Sequence, residues 1–89
     1  MAALLITYDL HDKQYEDDLL KFIKDDGSWA FISESSYVVV RNETTASVVA
    51  AIRAIVHDKI ELLVVNIVKP FNSHGLRAEL VAWLSRYVP

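Results

Sequence analysis

Three residues just after the first apolar run carry side chains that can bind a metal or move a proton. Asp9 ends the apolar run at 3–8, so an acid projects from the tip of a buried strand, and His11 and Asp12 follow it. A histidine two residues from an aspartate can ligate a metal or act as a base. The same residue types at a strand exit also cap turns and helices. The sequence leaves both interpretations open for all three residues.

Hydroxyl and indole side chains are further candidates for contacts to nucleic acid. Ser33, Ser35 and Ser36 can contact phosphate, although the composition of a hairpin turn explains them more simply. Trp29 and Trp83 can stack on bases, although Trp83 falls in the apolar stripe of a helix and is expected in the core or at an interface. The chain has no cysteine, which excludes a disulfide scaffold, thiolate catalysis and cysteine-ligated zinc.

Length and composition indicate one small domain that spans residues 1–89. The chain is 53% hydrophobic and has two glycines and two prolines, so nothing suggests a linker between domains. We expect a core at 1–69 and a C-terminal helix at 70–89. The longest apolar runs are about six residues, well short of the ~20 that a membrane span needs. A soluble cytoplasmic protein with no membrane partner is therefore the expectation.

The charges are unevenly distributed along a chain whose net charge is -3. Residues 1–52 hold nine acids and four bases, whereas residues 53–89 hold five bases and three acids. The balance argues against a strongly cationic nucleic-acid binder. The sequence shows no interleaving of aromatic and basic residues, so a solvated surface of mixed sign is the simpler interpretation.

Alternation and helical spacing predict seven elements, which a few cap residues delimit. The strands are predicted at 3–9, 29–32, 37–40 and 60–68, and the helices at 13–25, 45–56 and after Pro70. Asp12, Thr44 or Thr45, and Asn72 or Ser73 are the expected N-caps of the three helices. Gly27 is expected to end the first helix. The apolar run at 60–68 predicts a strand that is covered on both faces.

The element order βαββαβ predicts an α+β fold, the ferredoxin-like sandwich, in which two helices cover one face of a four-stranded antiparallel sheet. An extra C-terminal helix follows. The opposite face would expose an apolar patch larger than monomers usually tolerate. Either the C-terminal helix folds across it, or a second copy of the chain packs against it, or both contribute. We expect a homodimer, because one short amphipathic helix is narrower than a four-stranded face.

Four segments between residues 3 and 68 resemble the SinR-like relatives of CRISPR-associated protein two. They are LLITYDL at 4–10, the acidic helix with Tyr15 and the pair Ile23-Lys24, ESSYVV at 34–39 and DKIELLVV at 58–65. The resemblance implies ferredoxin-like protomers that dimerise through their sheets. It also implies that the C-terminal segment often reaches across to the partner.

The resemblance further implies a role for Asp9 as a metal ligand and catalytic residue. In the nuclease branch of that family, the acid after the tyrosine of the first strand comes from both protomers and holds a divalent metal near the two-fold axis. Two carboxylates and waters suit Mg²⁺ or Mn²⁺, which can polarise a phosphodiester. The basic residues common in family nucleases after the first strand are reduced here to Lys13. The implied function is that of a metal-dependent endonuclease.

A second function of a different class is a non-catalytic homodimeric module. Its sheet edges or C-terminal helix would engage a protein partner, and Asp9 would be structural. Other activities found on ferredoxin-like folds fit the sequence less well. The segment 37–41 lacks the glycines and further aromatics of an RNA-recognition domain, and 10–13 lacks the glycine-rich anion loop of acylphosphatases.

Overall fold

The computed structural model describes residues 2–25 and 27–89. In these residues, three α-helices and four strands follow one another along the chain. They are β1 (Ala2–Leu10), α1 (Glu16–Lys24) after a 3₁₀ turn at Lys13–Tyr15, β2 (Trp29–Ser33), β3 (Ser36–Arg41), α2 (Thr45–Val56), β4 (Ile60–Ile67) and α3 (Ala78–Tyr87). None of the helices in the described part of the chain is long and apolar enough to span a bilayer.

The four strands form one antiparallel sheet in the order β2-β3-β1-β4. β1 lies in the middle, where Ile6 pairs with Tyr37 of β3 on one side and with Val64 of β4 on the other. The predicted α+β class and the antiparallel four-stranded sheet are confirmed. β2 and β4 are the two edge strands, so each has one row of backbone groups without a neighbouring strand.

The main core lies between the sheet and the helices α1 and α2, on what we call the helix face. Leu19 and Ile23 of α1 and Ile52 of α2 are fully buried there against Leu4 and Ile6 of β1. These positions follow the spacings of 3 or 4 in the helices and 2 in the strand. Burial of these large aliphatic side chains is the main force that holds the two layers together.

The C-terminal helix covers part of the other face of the sheet, which we call the second face. Leu80 and Leu84 of α3 are buried against Ala3, Ala30 and Val38 of the strands. Phe71, Leu76 and Trp83 are partly buried around this cluster. One of the two predicted covers, the chain's own helix, is therefore present. Leu63 of β4 lies on the same face outside this cluster and is 58% exposed.

Two sequence-based predictions about the C-terminal third were wrong. The strand at 60–68 was expected to be covered on both faces, but Glu61, Leu63 and Asn66 of β4 are exposed because this strand is at the edge of the sheet. The last helix was expected to begin at an Asn72 or Ser73 cap. It begins after Arg77, whose side chain makes no capping bond. The segment before the helix instead lays Phe71 and Leu76 on the second face.

The predicted start of the second helix was correct, whereas the predicted Asp12 cap serves a 3₁₀ turn that precedes α1, and α1 itself begins at Glu16 without a side-chain cap. Asp12 accepts a hydrogen bond from the backbone N–H of Gln14 at 3.1 Å, at the start of the 3₁₀ turn. Thr44 accepts one from Ser47 N–H at 3.0 Å, and this settles the choice between Thr44 and Thr45. Gly27, beyond the end of α1, has a φ of +73°, a conformation that favours glycine.

Candidate metal centre

Asp9 and Glu61 share one end of the second face of the sheet. Asp9 is the last but one residue of β1, and Glu61 is the second residue of β4. The two residues are directly opposite each other in the antiparallel ladder. Cross-strand partners point to the same face with their Cβ atoms about 4.5–5.5 Å apart. Both side chains are 74% exposed, so the carboxylates reach solvent.

His11 completes a group of three candidate ligands that we call the triad: Asp9, His11 and Glu61. The backbone N–H of His11 donates to the carbonyl of Lys59 at 2.8 Å, which holds the loop after β1 against the start of β4. Its Nε2 lies 3.1 Å from Oε2 of Glu61 and 3.8 Å from Oδ2 of Asp9. One ligand atom from each residue lies within 4.8 Å of the other two.

The triad is chemically suited to a divalent cation. Adjacent ligands of an ion held at about 2.1 Å are roughly 3 Å apart, close to the separation of His11 and Glu61. Carboxylate oxygens suit Mg²⁺ and Mn²⁺, whereas imidazole nitrogen is a ligand that Mg²⁺ rarely takes. Of the two ions that the sequence predicted, Mn²⁺ therefore fits this donor set better.

Asp12 takes no part in the triad, although it is next to His11 in sequence. One of its carboxylate oxygens caps the 3₁₀ turn, and the other accepts from the side-chain amide of Gln14 at 2.9 Å. Asp9, in contrast, makes no capping hydrogen bond to any residue in the ranges 2–25 and 27–89. The sequence left two interpretations open for these residues, a cap or a metal ligand. Asp12 is a cap, whereas Asp9 lies beside His11 and makes no capping bond within those ranges.

Two surface depressions adjoin the triad. One, of about 300 Å³, includes Thr7, Leu63, Asp9 and Glu61 in its lining on the second face. The other, of about 180 Å³, is more polar. Besides Asp9, its lining comprises Tyr8, Leu10, Lys13, Glu16, Glu34 and Ser35. Lys13 is the one cation among the described residues of that lining, so the basic residue that the sequence placed near Asp9 does lie beside it.

Tyr8 keeps its phenolic proton over an unusually wide pH range. Burial raises the pKa of Tyr8 to about 12, and the neighbouring Tyr37 and the Glu16 carboxylate contribute to the rise. Burial also raises the pKa of Tyr37, again with a contribution from Glu16. Tyr8 is therefore a hydrogen-bond donor at neutral pH in the lining of the smaller depression.

Sequence reasoning missed Glu61, because its proximity to Asp9 depends on the pairing of β1 with β4, which are far apart in the sequence. The signal was present, since Asp9 and Glu61 are the acids at the ends of two apolar runs. The candidate serines are near but outside the triad, where the Ser36 hydroxyl lies 3.0 Å from that of Thr7. Trp83 is on α3, and Trp29 is on the edge strand β2.

No protein-family model, no curated protein and no solved structure matches this chain significantly. The proposed function therefore depends on the residues and their geometry.

Proposed function

We propose that the chain is a ferredoxin-like relative of CRISPR-associated protein two, of the SinR-like branch, that acts as a cytoplasmic homodimer and a divalent-metal-dependent endonuclease. The strand order β2-β3-β1-β4, with α1 joining β1 to β2 and α2 joining β3 to β4, supports the fold assignment. The observation that carries the activity is the triad, in which Asp9, His11 and Glu61 meet from two strands and a loop.

The residues of the triad would hold the metal and leave space for substrate. Mn²⁺ bound there would neutralise phosphate charge and lower the pKa of a water, which prepares a nucleophile for phosphodiester hydrolysis. Asp9 and Glu61 would supply carboxylate oxygens, and His11 would supply a neutral ring nitrogen. Lys13 lies in the adjoining depression, where it can pair with a phosphate oxygen. Protonated Tyr8 can donate a hydrogen bond there.

A homodimer is proposed because the cover on the second face is incomplete. Leu63 remains 58% exposed beside the triad, and it also lines the larger depression with Asp9 and Glu61. A second copy packed there would bury Leu63 and bring a second Asp9 towards the first. Three ligands from one chain leave other coordination positions of a six-coordinate ion to water, substrate or that second carboxylate.

Isothermal titration with Mn²⁺ and a cleavage assay on a labelled oligonucleotide test this function. Asp9→Asn should abolish cleavage and weaken Mn²⁺ binding at least about tenfold, because a charged ligand is lost. Asp12→Asn is the matched control, since it removes the same charge three residues away and asparagine remains a good cap. Light scattering should find both variants in the same oligomeric state as the wild type. Unchanged metal binding in Asp9→Asn would refute the proposed site.

The charge around the triad favours a second candidate, the non-catalytic homodimeric module. Glu16 and Glu34 line the same depression as Asp9, and Lys13 offsets only part of that negative charge. A phosphate backbone is repelled by such a surface unless a metal is bound. Mn²⁺ binding without cleavage of any oligonucleotide, in a wild-type homodimer, would select this second function.

A further inference from the structure

An aromatic surface flanked by cations lies along the edge strand β2, away from the triad. We call it the β2 edge strip, and it consists of Lys24, Trp29, Phe31, Tyr37 and Arg77. Trp29 and Phe31 are two residues apart in a strand, so their side chains share a face. Tyr37 of β3 is the cross-strand partner of Phe31.

Tyr37 contacts both of the other rings, and one of those two, Phe31, is exposed to solvent. The ring centroids of Phe31 and Tyr37 are 5.6 Å apart, and those of Trp29 and Tyr37 are 6.2 Å apart. Tyr37 is 6% exposed, so it forms the floor of the strip, whereas Phe31 is 41% exposed. Trp29 is partly buried. An exposed phenylalanine beside a partly exposed tryptophan provides a surface on which planar rings can stack.

Cations lie at both ends of this surface. Lys24 Nζ, at the end of α1, is 4.7 Å from the ring centroid of Trp29. The Arg77 guanidinium, just before α3, is 5.6 Å from the ring centroid of Phe31, and its Nη2 donates to the Phe31 carbonyl at 2.5 Å. Glu79 lies 3.8 Å from Arg77 and offsets part of its charge. The fold thus produces the interleaving of aromatic and basic residues that the sequence lacks.

We propose that the β2 edge strip binds single-stranded nucleic acid, with bases stacked on Phe31 and Trp29 and phosphates near Lys24 and Arg77. This deepens the proposed function, because it assigns the strandedness of the nucleic acid. Stacking on aromatic side chains tolerates any base, whereas the bases of a duplex are already stacked on one another. Two residues along a strand advance about 6.8 Å, twice the ~3.4 Å rise of stacked bases. The two rings therefore suit bases that have separated.

The course of the chain links the strip to the triad. β2 ends at Ser33, and the following turn brings the Ser35 carbonyl within 3.0 Å of the backbone N–H of Tyr8, the neighbour of Asp9. Trp29 and Tyr37 pack on the helix face, whereas Asp9 and Glu61 lie on the second face, so a nucleic-acid strand that leaves Phe31 past Ser33 has to pass round this end of the sheet to approach Asp9. The strip would hold one part of the substrate, and the triad would act on a part that has passed round this end of the sheet.

The test is fluorescence anisotropy of a labelled oligothymidylate of about 12 nucleotides, in EDTA and at low salt. Wild type should bind with a Kd on the order of 10 to 100 µM, as expected for a site with few cations. Phe31→Ala and Phe31→Leu should each weaken binding about fivefold or more, because the ring is lost. Val68→Ala is the matched control, since it truncates an exposed apolar residue beyond the end of β4, away from both sites, and it should bind as wild type does.

The charged residues have their own pair of variants. Lys24→Ala should weaken binding and reduce the slope of log K against log salt by about one, as for a single phosphate contact. Lys21→Ala, on the same helix and exposed, is its control and should leave the slope unchanged. A duplex of the same length should bind at least about tenfold more weakly than the single strand.

Asp9→Asn separates this inference from the proposed function. In EDTA it should bind the oligothymidylate as tightly as wild type, because the strip needs no metal. If Phe31→Leu and wild type bind the oligothymidylate with equal affinity, the proposed role of the strip is refuted, even if the wild type cleaves nucleic acid with Mn²⁺. If the wild type binds the oligothymidylate but neither binds Mn²⁺ nor cleaves nucleic acid, the proposed metal site is refuted and the proposed binding by the strip stands.

Discussion

Asp9 and Glu61 are direct cross-strand partners in the antiparallel pair β1–β4, with the ring nitrogen of His11 within 3.8 Å of both carboxylates. Like charges directly opposite each other destabilise a sheet. Here the two acids are adjacent to a potential ligand nitrogen and open to solvent. A bound cation would convert their repulsion into attraction, so the stability of the fold and the occupancy of the site should be linked.

Glu61→Gln should therefore have opposite effects in the presence and absence of metal. Without metal it should raise the free energy of unfolding by a few tenths of a kcal/mol, because the repulsion from Asp9 is removed at an exposed site. With millimolar Mn²⁺ the wild type should gain thermal stability and the variant much less. Thermal denaturation with and without Mn²⁺ measures both effects. The same gain in Tm for both proteins would contradict a role of Glu61 as ligand.

Arg41 should be the most important charged residue for stability. It is 4% exposed, donates to the carbonyls of Phe22 and Ile23 at the end of α1, and has its guanidinium 4.4 Å from the Phe22 ring centroid. Arg41→Met should lower the free energy of unfolding by about 2 to 3 kcal/mol, because buried carbonyls lose a charged donor. Urea denaturation measures the loss.

Arg53→Met is the matched control for the Arg41 variant. Arg53 is 66% exposed and lies 3.6 Å from the exposed Asp58. Such surface ion pairs contribute about 0 to 1 kcal/mol, so this variant should lose less than ~0.5 kcal/mol. Equal losses for the two variants would show that Arg41 does not hold the end of α1 in place.

The raised pKa of Tyr8 predicts instability in alkaline solution. An unfolded tyrosine loses its proton near a pKa of about 10, whereas the pKa of folded Tyr8 is raised to about 12. Between these values the unfolded state binds fewer protons, so the free energy of unfolding falls as the pH rises. The stabilising contribution of Tyr8 is complete below about pH 10. The free energy of unfolding of Tyr8→Phe, measured by urea denaturation, should fall less steeply with pH over this interval than that of the wild type. Parallel curves of unfolding free energy against pH would contradict the raised pKa of Tyr8.

Leu63→Lys should separate the proposed dimer into single chains. The substitution places a charge in the uncovered part of the second face, where a second copy would bury Leu63. Light scattering at micromolar concentration should find a dimer for wild type and a monomer for the variant. Val68→Lys is the control, because Val68 is 62% exposed but follows the end of β4. A monomeric wild type would remove the basis for a two-chain carboxylate site.

Local patterns predicted most of the elements, because they depend on residues near each other in sequence. The Asp12 and Thr44 caps and the turn between β2 and β3 need only neighbouring groups, and they were correct. The prediction that β4 is covered on both faces was wrong, because the position of a strand at the edge of a sheet depends on how all the strands pair. The predicted start of α3 was wrong because the segment before the helix packs Phe71 and Leu76 on the sheet, and the helix begins after it.

The candidate site was only half predictable for the same reason. Asp9 and His11 are adjacent to a strand end and could be found from the sequence, but Glu61 joins them through the register of β1 and β4. Likewise, Arg77 reaches Phe31 across 46 residues, so the β2 edge strip has no signature in the sequence.

The docking of α3 on its own sheet predicts which of two neighbouring substitutions is the more damaging. Leu84 is 6% exposed in the cluster on the second face, whereas Trp83 is only partly buried and packs on Tyr87 at 4.8 Å. Leu84→Ala should therefore lower the free energy of unfolding by about 3 kcal/mol, and Trp83→Ala by about 1 to 2, below the ~3 to 5 of a core tryptophan. Urea denaturation at two protein concentrations measures both losses. Because α3 covers its own chain, the difference between the variants should not change with concentration, and a difference that grows on dilution would show that the helix packs on a partner instead.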